Sequence, residues 1–298
     1  MTPSLQDAKI TFLGGGNMAA AIIGGLLAKN INKQNIYVSE PWDVNRNKMA
    51  DLGVRTTADN KEAAADADVV ILAVKPQVAK GVCEELSAAW ASRDSLPVVI
   101  SIAAGITLAS IAQWFKGDGS KAPHIVRVMP NTPALVGEGA SGLYAAEDVT
   151  SEEKDLTSAL LGSVSKATEW VDKEELLDVV TGISGKFDPN TQIGTTANSS
   201  SGSGPAYFFA FVEHLISSGI GLGLSEEQAT RLATQTCLGA GKMLVESSDE
   251  PSQLRKNVTS PNGTTHAALV SFEDSGLKEI VDKAVKAAAD RAKELGKN

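Results

Sequence analysis

The stretch Lys9–Ile22, KITFLGGGNMAAAI, decides the fold of the first half of the chain. It contains a G-x-G-x-x-A pattern at Gly14, Gly16 and Ala19, directly between a short apolar run and a helix-like segment. In such a turn the first glycine permits a sharp bend, the second lets the backbone approach a pyrophosphate, and the small third residue allows close packing of the helix on the strand. The pattern therefore predicts a dinucleotide-binding turn between a strand and a helix.

Outward from this turn, short β-like runs alternate with helical stretches, the first of which is predicted over Asn17–Ala28. The runs VVILAV and VVISIA are continuously apolar, as expected when both faces of a parallel sheet are covered. The predicted strands are Ile10–Leu13, Ile36–Ser39, Val69–Val74, Val98–Ala103, Ile125–Met129 and Gly142–Ala146. This alternation favours βαβ units, so we predict a Rossmann-type doubly wound α/β domain over residues 1–172.

The pattern changes after about Trp170, where strand-like runs give way to long helical segments. The predicted helices are Tyr207–Gly219, Ser225–Ser247 and Leu277–Leu295. Ser225 with Gln228 three residues later is typical of a helix start, and the last helix carries one apolar stripe at helical spacing. We predict an all-α domain over residues 173–298, whose apolar faces favour a homodimer or a larger homo-oligomer.

Composition narrows the class of protein. The formal net charge of −9 argues against a broad nucleic-acid-binding face. Cys83 and Cys237 indicate buried thiols in a reducing compartment, and His124, His214 and His266 have no metal-ligand partner at helical spacing. The apolar run AAAIIGGLLA is too short for a bilayer and no cleavable leader precedes it. We expect a cytoplasmic protein without metal, membrane or nucleic-acid partners.

A second turn with anion-binding chemistry lies in Asn257–Leu269, NVTSPNGTTHAAL. Pro261 fixes one φ and the Asn-Gly pair after it tolerates positive φ, which predicts a turn. The helix that follows presents free backbone N–H groups and a positive dipole end. The hydroxyls of Thr264 and Thr265 can cap this helix or bind a ligand, so the turn is either an ordinary helix start or a site for a carboxylate or phosphate.

Polar residues follow the predicted strands at the edge where a dinucleotide would bind. Ser39 and Glu40 end the second strand, and Asn45, Arg46 and Lys48 come shortly after it. A carboxylate there holds the ribose 2′-hydroxyl of NAD, whereas a cation accommodates the 2′-phosphate of NADP, so these residues leave the choice open.

Polar residues also follow two other predicted strands. Lys75 in Ala73–Pro76, AVKP, either binds cofactor or substrate or is a solvated lysine before a proline turn. Asn131 and Thr132 are the polar residues of the similar exit MPNTP. Because the sequence offers no metal cluster, P-loop or G-x-S-x-G motif, we expect the chemistry to rest on the cofactor.

These motifs resemble those of the pyrroline-5-carboxylate reductase family over nearly the whole chain. They are FLGGGNMAAAIIGGL, ILAVKPQ, SIAAGITL, RVMPNTPALVGEGA, SGPAYFF and QLRKNVTSPNGTTHAAL. The resemblance implies reduction of the cyclic imine 1-pyrroline-5-carboxylate to proline, the last step of proline biosynthesis, with NADPH or alternatively NADH as hydride donor. It also implies a Rossmann domain joined to a helical dimerisation domain, with the active site between the cofactor and the partner helices.

The resemblance assigns roles by position. Thr265 and Lys75 are the candidate catalytic residues, and Thr265 would hydrogen-bond the imine or amine nitrogen. Asn60 would lie near the adenine ribose and Ser39 near the 2′-phosphate. The candidate substrate-binding residues are Asn257, Ser260, Gly263, Thr264 and Thr265, with backbone N–H groups of the last three on the carboxylate. The candidate cofactor-binding residues are Gly14, Gly16, Asn17, Met18, Ser39, Arg46, Asn60, Ala73, Lys75 and Asn131.

The chain departs from the family pattern in two places. A serine occupies the position of Glu40 in some members. The family reads I-S-G-S-G-P without interruption, whereas Lys186–Gly202 separates Ile183–Gly185 from Ser203–Pro205 here. The inserted segment is a lid, a tolerated surface loop, or a retained intron, since Gly-Lys-Phe encoded as GGT-AAG-TTT contains a splice-donor consensus.

Two other functions stay open from the sequence. One is a hydroxyacid dehydrogenase of related layout, which would rely on a helix lysine with a nearby asparagine; no matching pair occurs in the second domain. The other is a non-enzymatic dinucleotide sensor, which would keep the Gly14–Ala19 turn and have no need of the turn Ser260–Thr265.

Overall fold

The structure, a computed structural model, describes residues 2–116, 121–185 and 203–295. The inserted segment Lys186–Gly202 lies outside the described residues. The strands are β1 (Ile10–Leu13), β2 (Ile36–Ser39), β3 (Arg55–Thr57), β4 (Val69–Leu72), β5 (Val98–Ser101), β6 (Ile125–Met129), β7 (Gly139–Ala145) and β8 (Ser165–Trp170).

The α-helices fall into two groups along the chain. Those that alternate with the strands are α1 (Asn17–Ala28), α2 (Asp43–Asp51), α3 (Asn60–Ala64), α4 (Pro76–Trp90), α5 (Leu108–Lys116) and α6 (Ser151–Leu161). Those that follow the sheet are α7 (Leu176–Val180), α8 (Ser203–Gly221), α9 (Glu226–Glu246), α10 (Pro251–Asn257), α11 (Thr264–Asp274) and α12 (Leu277–Leu295).

The strands form one sheet in the order β3-β2-β1-β4-β5-β6-β7-β8. Strands β1 to β6 run parallel, β7 is antiparallel to β6, and β8 is parallel to β7. The order reverses between β1 and β4, the position where doubly wound sheets bind dinucleotides. Leu13 pairs with both Ser39 and Leu72, so the carboxyl ends of β1, β2 and β4 lie at one edge.

Helices cover both faces of the sheet. Along β4, Val69 and Ile71 pack into one apolar cluster with residues of α1 and α6, whereas Val70 and Leu72 pack into another with residues of α4 and α5. Burial of alternate side chains on opposite faces is the physical cause of the continuous apolar runs in the sequence. The predicted Rossmann-type doubly wound sheet and the helical segment that follows it are confirmed.

The strand boundaries differ from the prediction in several places. Strands β4 and β5 each end two residues early, because the chain leaves the sheet to enter the turns at its carboxyl edge. Strand β7 begins at Gly139, three residues before the predicted start. The sequence did not predict β3 or β8, and β3 and β8 are the polar outermost strands, which lack the apolar signal of strands covered on both faces.

The described residues divide into two compact units. The first takes in the residues up to Gly204 together with those from Ala287 onward, and the second is Pro205–Lys286. The last helix therefore contributes its final turns to the first unit, where Ala292 is buried. The predicted boundary between residues 172 and 173 stays a prediction.

The second unit is helical and unusually open. Within the described residues of Pro205–Lys286, Ala229 is the single buried apolar residue. Many large apolar side chains are exposed there, among them Leu222, Leu238 and Val245 at 89%, 63% and 80%. Helices α8 and α11 touch through Phe211 and Phe272, with ring centroids 6.2 Å apart. The unit thus leaves uncovered most of the apolar surface that its helices present.

The two cysteines differ. Cys83 on α4 is buried, and burial raises the pKa of its thiol to about 12. Cys237 on α9 was predicted to be buried, and this is wrong for the chain as described: its side chain is half-buried, because α9 belongs to the open helical unit. Among the described helices, none combines the length and the apolar character that crossing a bilayer requires.

Candidate active site

The glycine turn after β1 is held between the ends of two other strands. The backbone N–H of Gly14 donates to the Ser39 carbonyl at 2.8 Å, which ties the turn to the end of β2. Gly14 has φ of +100°, and a Cβ there would lie 2.8 Å from the Ala73 carbonyl oxygen just beyond β4. The first glycine is therefore required by the backbone conformation and by the approach of the neighbouring strand.

Gly16 presents the opposite case. It is the N-cap of α1 with φ of −76°, a conformation open to any residue, and no side chain caps the helix there. A Cβ on Gly16 would meet no atom within 4 Å. Neither conformation nor packing inside the chain requires this glycine, so the open space before the first helix N–H groups fits the pyrophosphate of a dinucleotide.

The polar residues after β2 and β3 form a hydrogen-bonded chain. The buried Ser39 hydroxyl donates to Asn60 Oδ1 at 2.8 Å, and Asn60 Nδ2 donates to Glu85 Oε2 on α4 at 2.9 Å. The structure thus brings together Ser39 and Asn60, which the resemblance assigned to the same part of the cofactor. No local pattern marks Glu85, because it lies 25 residues from Asn60 inside an ordinary amphipathic helix.

Arg46 lies at the start of α2 beside the same edge. Its Nη1 donates to the carbonyls of Glu40 at 2.9 Å and Pro41 at 3.0 Å, and its Nη2 pairs with Asp43. The guanidinium is therefore fixed close to the end of β2, with the side chain 25% exposed. Trp42 is 54% exposed at the N-cap of α2, and no sequence motif marks it.

The other predicted cofactor residues occupy different positions around the turn. Asn17 is the first residue of α1, and the side chain of Met18 after it is buried in the core. Lys75 is exposed at the N-cap of α4. Asn131 is buried after β6, and its Oδ1 accepts from the Ala140 N–H at 2.9 Å, so its amide holds the start of β7.

The second predicted turn forms as expected in the helical unit. Asn262 has φ of +57°, and the Gly263 N–H donates to the Ser260 carbonyl at 3.0 Å. The N-cap of α11 is Gly263, and no side chain caps the helix. Of the two uses left open for the hydroxyls of Thr264 and Thr265, capping does not occur, because Gly263, one position earlier, takes the extended N-cap conformation.

The free donors of this turn differ slightly from those predicted. The Gly263 N–H is used inside the turn, so the uncapped N–H groups belong to the first turn of α11, where Thr264 is exposed and Thr265 half-buried. Asn257 ends α10, where it accepts from Gln253 Nε2 at 2.7 Å and donates to Asp249. These residues form one polar turn that can bind a small carboxylate.

Groups that could support other chemistry are placed elsewhere. His124 pairs with Glu153 at 2.7 Å, and His214 lies exposed on α8. In the part of the chain that the structure describes, no group of three or more His, Cys, Asp or Glu residues is arranged to hold a metal. The fold and the open glycine turn define a Rossmann-type dinucleotide-binding protein.

Comparison with known proteins identifies the family. The model for pyrroline-5-carboxylate reductase dimerisation matches residues 194–295, and the model for NADP oxidoreductase, coenzyme F420-dependent, matches residues 9–105. The pyrroline-5-carboxylate reductase of Pseudomonas aeruginosa is 43% identical, over 98% of each chain.

Two solved structures agree with this assignment. The pyrroline-5-carboxylate reductase of Coxiella burnetii has 39% identity and a TM-score of 0.85, and covers 98% of this chain and 99% of its own. The pyrroline carboxylate reductase of Plasmodium falciparum with NADP bound has 31% identity and a TM-score of 0.78, over 98% and 99%. The chain belongs to the pyrroline-5-carboxylate reductase family, as its motifs predicted, and the dehydrogenase and sensor alternatives are not favoured.

Proposed function

We propose that this chain reduces 1-pyrroline-5-carboxylate to L-proline, the last step of proline biosynthesis, with NADPH as the preferred hydride donor. The reaction class follows from family membership, since members are oxidoreductases acting on CH–NH groups. Gly16 supports the binding of a dinucleotide. A Cβ there would meet no atom of the chain, so the space before α1 is open to the pyrophosphate. The bound cofactor would supply the hydride, and the residues of the chain bind, orient and shield the reactants.

The preference for NADPH is supported by the end of β2. Arg46 holds a guanidinium beside this edge, and Ser39 and Asn60 would have to exchange hydrogen bonds they now make within the chain for bonds to the phosphate. A cation near the second strand accommodates a 2′-phosphate. Arg46 would have to share its charge between the 2′-phosphate and Asp43, whose side chain is 77% exposed and therefore a weak competitor.

The turn Ser260–Thr265 is proposed to bind the substrate carboxylate. The first turn of α11 has no side-chain cap, so its N–H groups and positive dipole end are open to an anion. Asn257 and Ser260 flank that turn and would complete the pocket. Thr265 is proposed to hydrogen-bond the substrate nitrogen, since charge on that nitrogen makes the adjoining carbon a better hydride acceptor.

The residues proposed to act from the first unit are Lys75, Ala73 and Asn131. Lys75 is an exposed cation at the edge of the sheet, suited to a phosphate of the cofactor or the substrate carboxylate. Ala73 and Asn131 shape the floor of the cofactor site with their backbones, because the Asn131 amide is engaged with Ala140.

The assembly is proposed to be a homodimer or a larger homo-oligomer in the cytoplasm. The family model that matches residues 194–295 is a dimerisation domain. The exposed apolar side chains of the helical unit would be covered by a second copy of this chain.

The test is a spectrophotometric assay of the purified chain with 1-pyrroline-5-carboxylate and each reduced cofactor. We expect oxidation of NADPH that depends on the imine, with kcat/KM higher than for NADH. Turnover of a hydroxy or keto acid in place of the imine would favour a hydroxyacid dehydrogenase. Cofactor binding without turnover of either would favour a sensor.

A further inference from the structure

We propose that Glu40 is a positioning residue that holds the dinucleotide turn in shape, and that it does not bind the adenine ribose. This inference rests on the proposed use of a nicotinamide dinucleotide. Glu40 directly follows β2, the position from which an acidic side chain commonly reaches the ribose hydroxyls. Its contacts in this chain point elsewhere.

The carboxylate of Glu40 is buried, and each of its oxygens accepts a backbone hydrogen bond. Oε2 accepts from the Gly15 N–H at 2.8 Å, and Oε1 accepts from the Trp42 N–H at 2.9 Å. The residue is only 9% exposed. Hydrogen bonds offset the loss of water around a buried carboxylate, and bonds to charged groups are stronger than those between neutral groups. Swinging this carboxylate out to a ribose would break both bonds and leave two N–H groups unpaired.

The aliphatic part of Glu40 supports the same geometry. A Cβ on Gly15 would lie 3.2 Å from Glu40 Cβ, 3.3 Å from Glu40 Cγ, and 3.1 Å from Cγ of the buried Met49. The side chain thus packs on the second residue of the glycine turn as well as bonding its N–H. Arg46 donates to the Glu40 carbonyl and fixes the backbone from the other side.

Together these contacts orient two successive peptide groups, Leu13–Gly14 and Gly14–Gly15. The Gly14 N–H is bonded to the Ser39 carbonyl and the Gly15 N–H to the Glu40 carboxylate, so both donors are already used inside the chain. A pyrophosphate is left with the N–H groups at the start of α1, next to the open position at Gly16. Glu40 therefore serves either cofactor equally, since both carry the same pyrophosphate.

The test compares Glu40→Ala, Glu40→Gln and the control Glu147→Gln. Glu147 is exposed and follows β7, whose end lies at the edge opposite the glycine turn because β7 is antiparallel to β6. For Glu40→Ala we expect KM to rise about 5- to 20-fold for NADPH and NADH alike, the scale of one or two lost hydrogen bonds. Glu40→Gln keeps one acceptor and should show a smaller rise. KM for the imine and the parameters of the Glu147 variant should stay unchanged.

The preference for one cofactor over the other distinguishes a positioning role of Glu40 from a role in binding the ribose. We expect the ratio of kcat/KM for NADPH to that for NADH to stay within about threefold of wild type. A larger shift toward NADPH would make Glu40 a ribose ligand and overturn the proposal, as would unchanged KM for both cofactors in Glu40→Ala. Should Glu40→Ala fail to fold, Glu40→Gln decides by the same ratio.

A direct binding measurement keeps this result apart from the proposed reaction. Enhancement of NADPH and NADH fluorescence on binding gives Kd for each variant without any imine. If wild type bound both cofactors but did not reduce the imine, the proposed function would fail while the Kd values still tested Glu40. Equal loss of affinity for both cofactors supports positioning, and loss confined to NADH overturns it.

Discussion

Gly16 and Gly14 of the nucleotide turn are needed for different reasons. Replacing Gly16 should impair cofactor binding, and replacing Gly14 should lower stability. Gly16→Ala adds a methyl where nothing lies within 4 Å, so the free energy of unfolding should change little. The same methyl would meet the pyrophosphate, and we expect KM for the cofactor to rise about tenfold or more, equivalent to about 1.4 kcal/mol of binding.

The matched variant Gly14→Ala should lower the free energy of unfolding. Its Cβ would lie 2.8 Å from the Ala73 carbonyl oxygen at a φ of +100°, which costs about 1–3 kcal/mol of stability. Thermal unfolding and cofactor KM measured on both variants check the pair. A folded Gly16→Ala with wild-type KM would remove the pyrophosphate from this position.

Thr265 is the residue on which the proposed chemistry most depends. Thr265→Ala should lower kcat/KM about 10- to 1000-fold, the scale of one lost oriented contact in the transition state. Thr265→Ser keeps the hydroxyl and should retain most activity. Thr234→Ala is the control, since that exposed hydroxyl donates only to carbonyls of its own helix. Wild-type kinetics in Thr265→Ala, measured with the fold intact, would contradict the assignment.

At the scale of elements, adjacent glycines in α1 report how closely that helix packs. A Cβ on Gly25 would lie 2.4 Å from Val164 Cγ1 and 2.5 Å from the Ser163 carbonyl oxygen, in the turn before β8. We expect Gly25→Ala to lower the free energy of unfolding by about 1–3 kcal/mol, the usual cost of overpacking.

The control for this effect is the residue before it. A Cβ on Gly24 meets nothing within 4 Å, and Gly24→Ala should stabilise the helix by about 0.5–1 kcal/mol. Denaturant unfolding followed by circular dichroism measures both. Equal effects of the two substitutions would contradict the close approach of α1 to β8.

Asp178 on α7 should make stability depend on pH. Burial raises the pKa of its carboxyl above the ordinary 3.8, and outweighs the attraction of Arg127 and Lys293. The folded state then binds this proton more tightly than the unfolded state, so ionisation of Asp178 costs stability above the raised pKa. Asp178→Asn should therefore be more stable than wild type at pH 7.

The advantage of Asp178→Asn should shrink as the pH falls through the interval between the raised pKa and 3.8, where wild-type Asp178 becomes protonated. Urea unfolding at a series of pH values measures the difference. Asp172→Asn, at an exposed carboxylate shortly before α7, is the control. A difference between Asp178→Asn and wild type that does not vary with pH would refute the role of this carboxyl.

For the whole molecule, the open helical unit predicts association. A unit with Ala229 as its single buried apolar residue among those described has too little core to be stable alone. Light scattering should give a dimer or larger species at assay concentration. Leu238→Lys and Val245→Lys should weaken assembly, while the control Leu52→Lys, at the end of α2 in the first unit, should not. An active wild-type monomer would contradict the prediction.

The sequence by itself determined the class of fold and the family. The apolar runs, the glycine turn after β1 and the turn before α11 are local signals, because each depends on residues that are neighbours along the chain. The capping box at Ser225 and Gln228 was likewise predicted and forms, since both partners lie within one turn. The outermost strands β3 and β8 escaped prediction because their polar sequences carry no such local signal.

Only the tertiary structure decided how individual polar groups are used. Glu40 was a candidate ribose ligand in the sequence, and the fold brings the Gly15 N–H, 25 residues away, to its carboxylate. Asn131 was a candidate cofactor-binding residue, and its side-chain oxygen accepts a hydrogen bond from Ala140 of β7. A side chain is available to a ligand only when no distant part of the chain has already satisfied its hydrogen bonds, and sequence spacing carries no information about those distant partners.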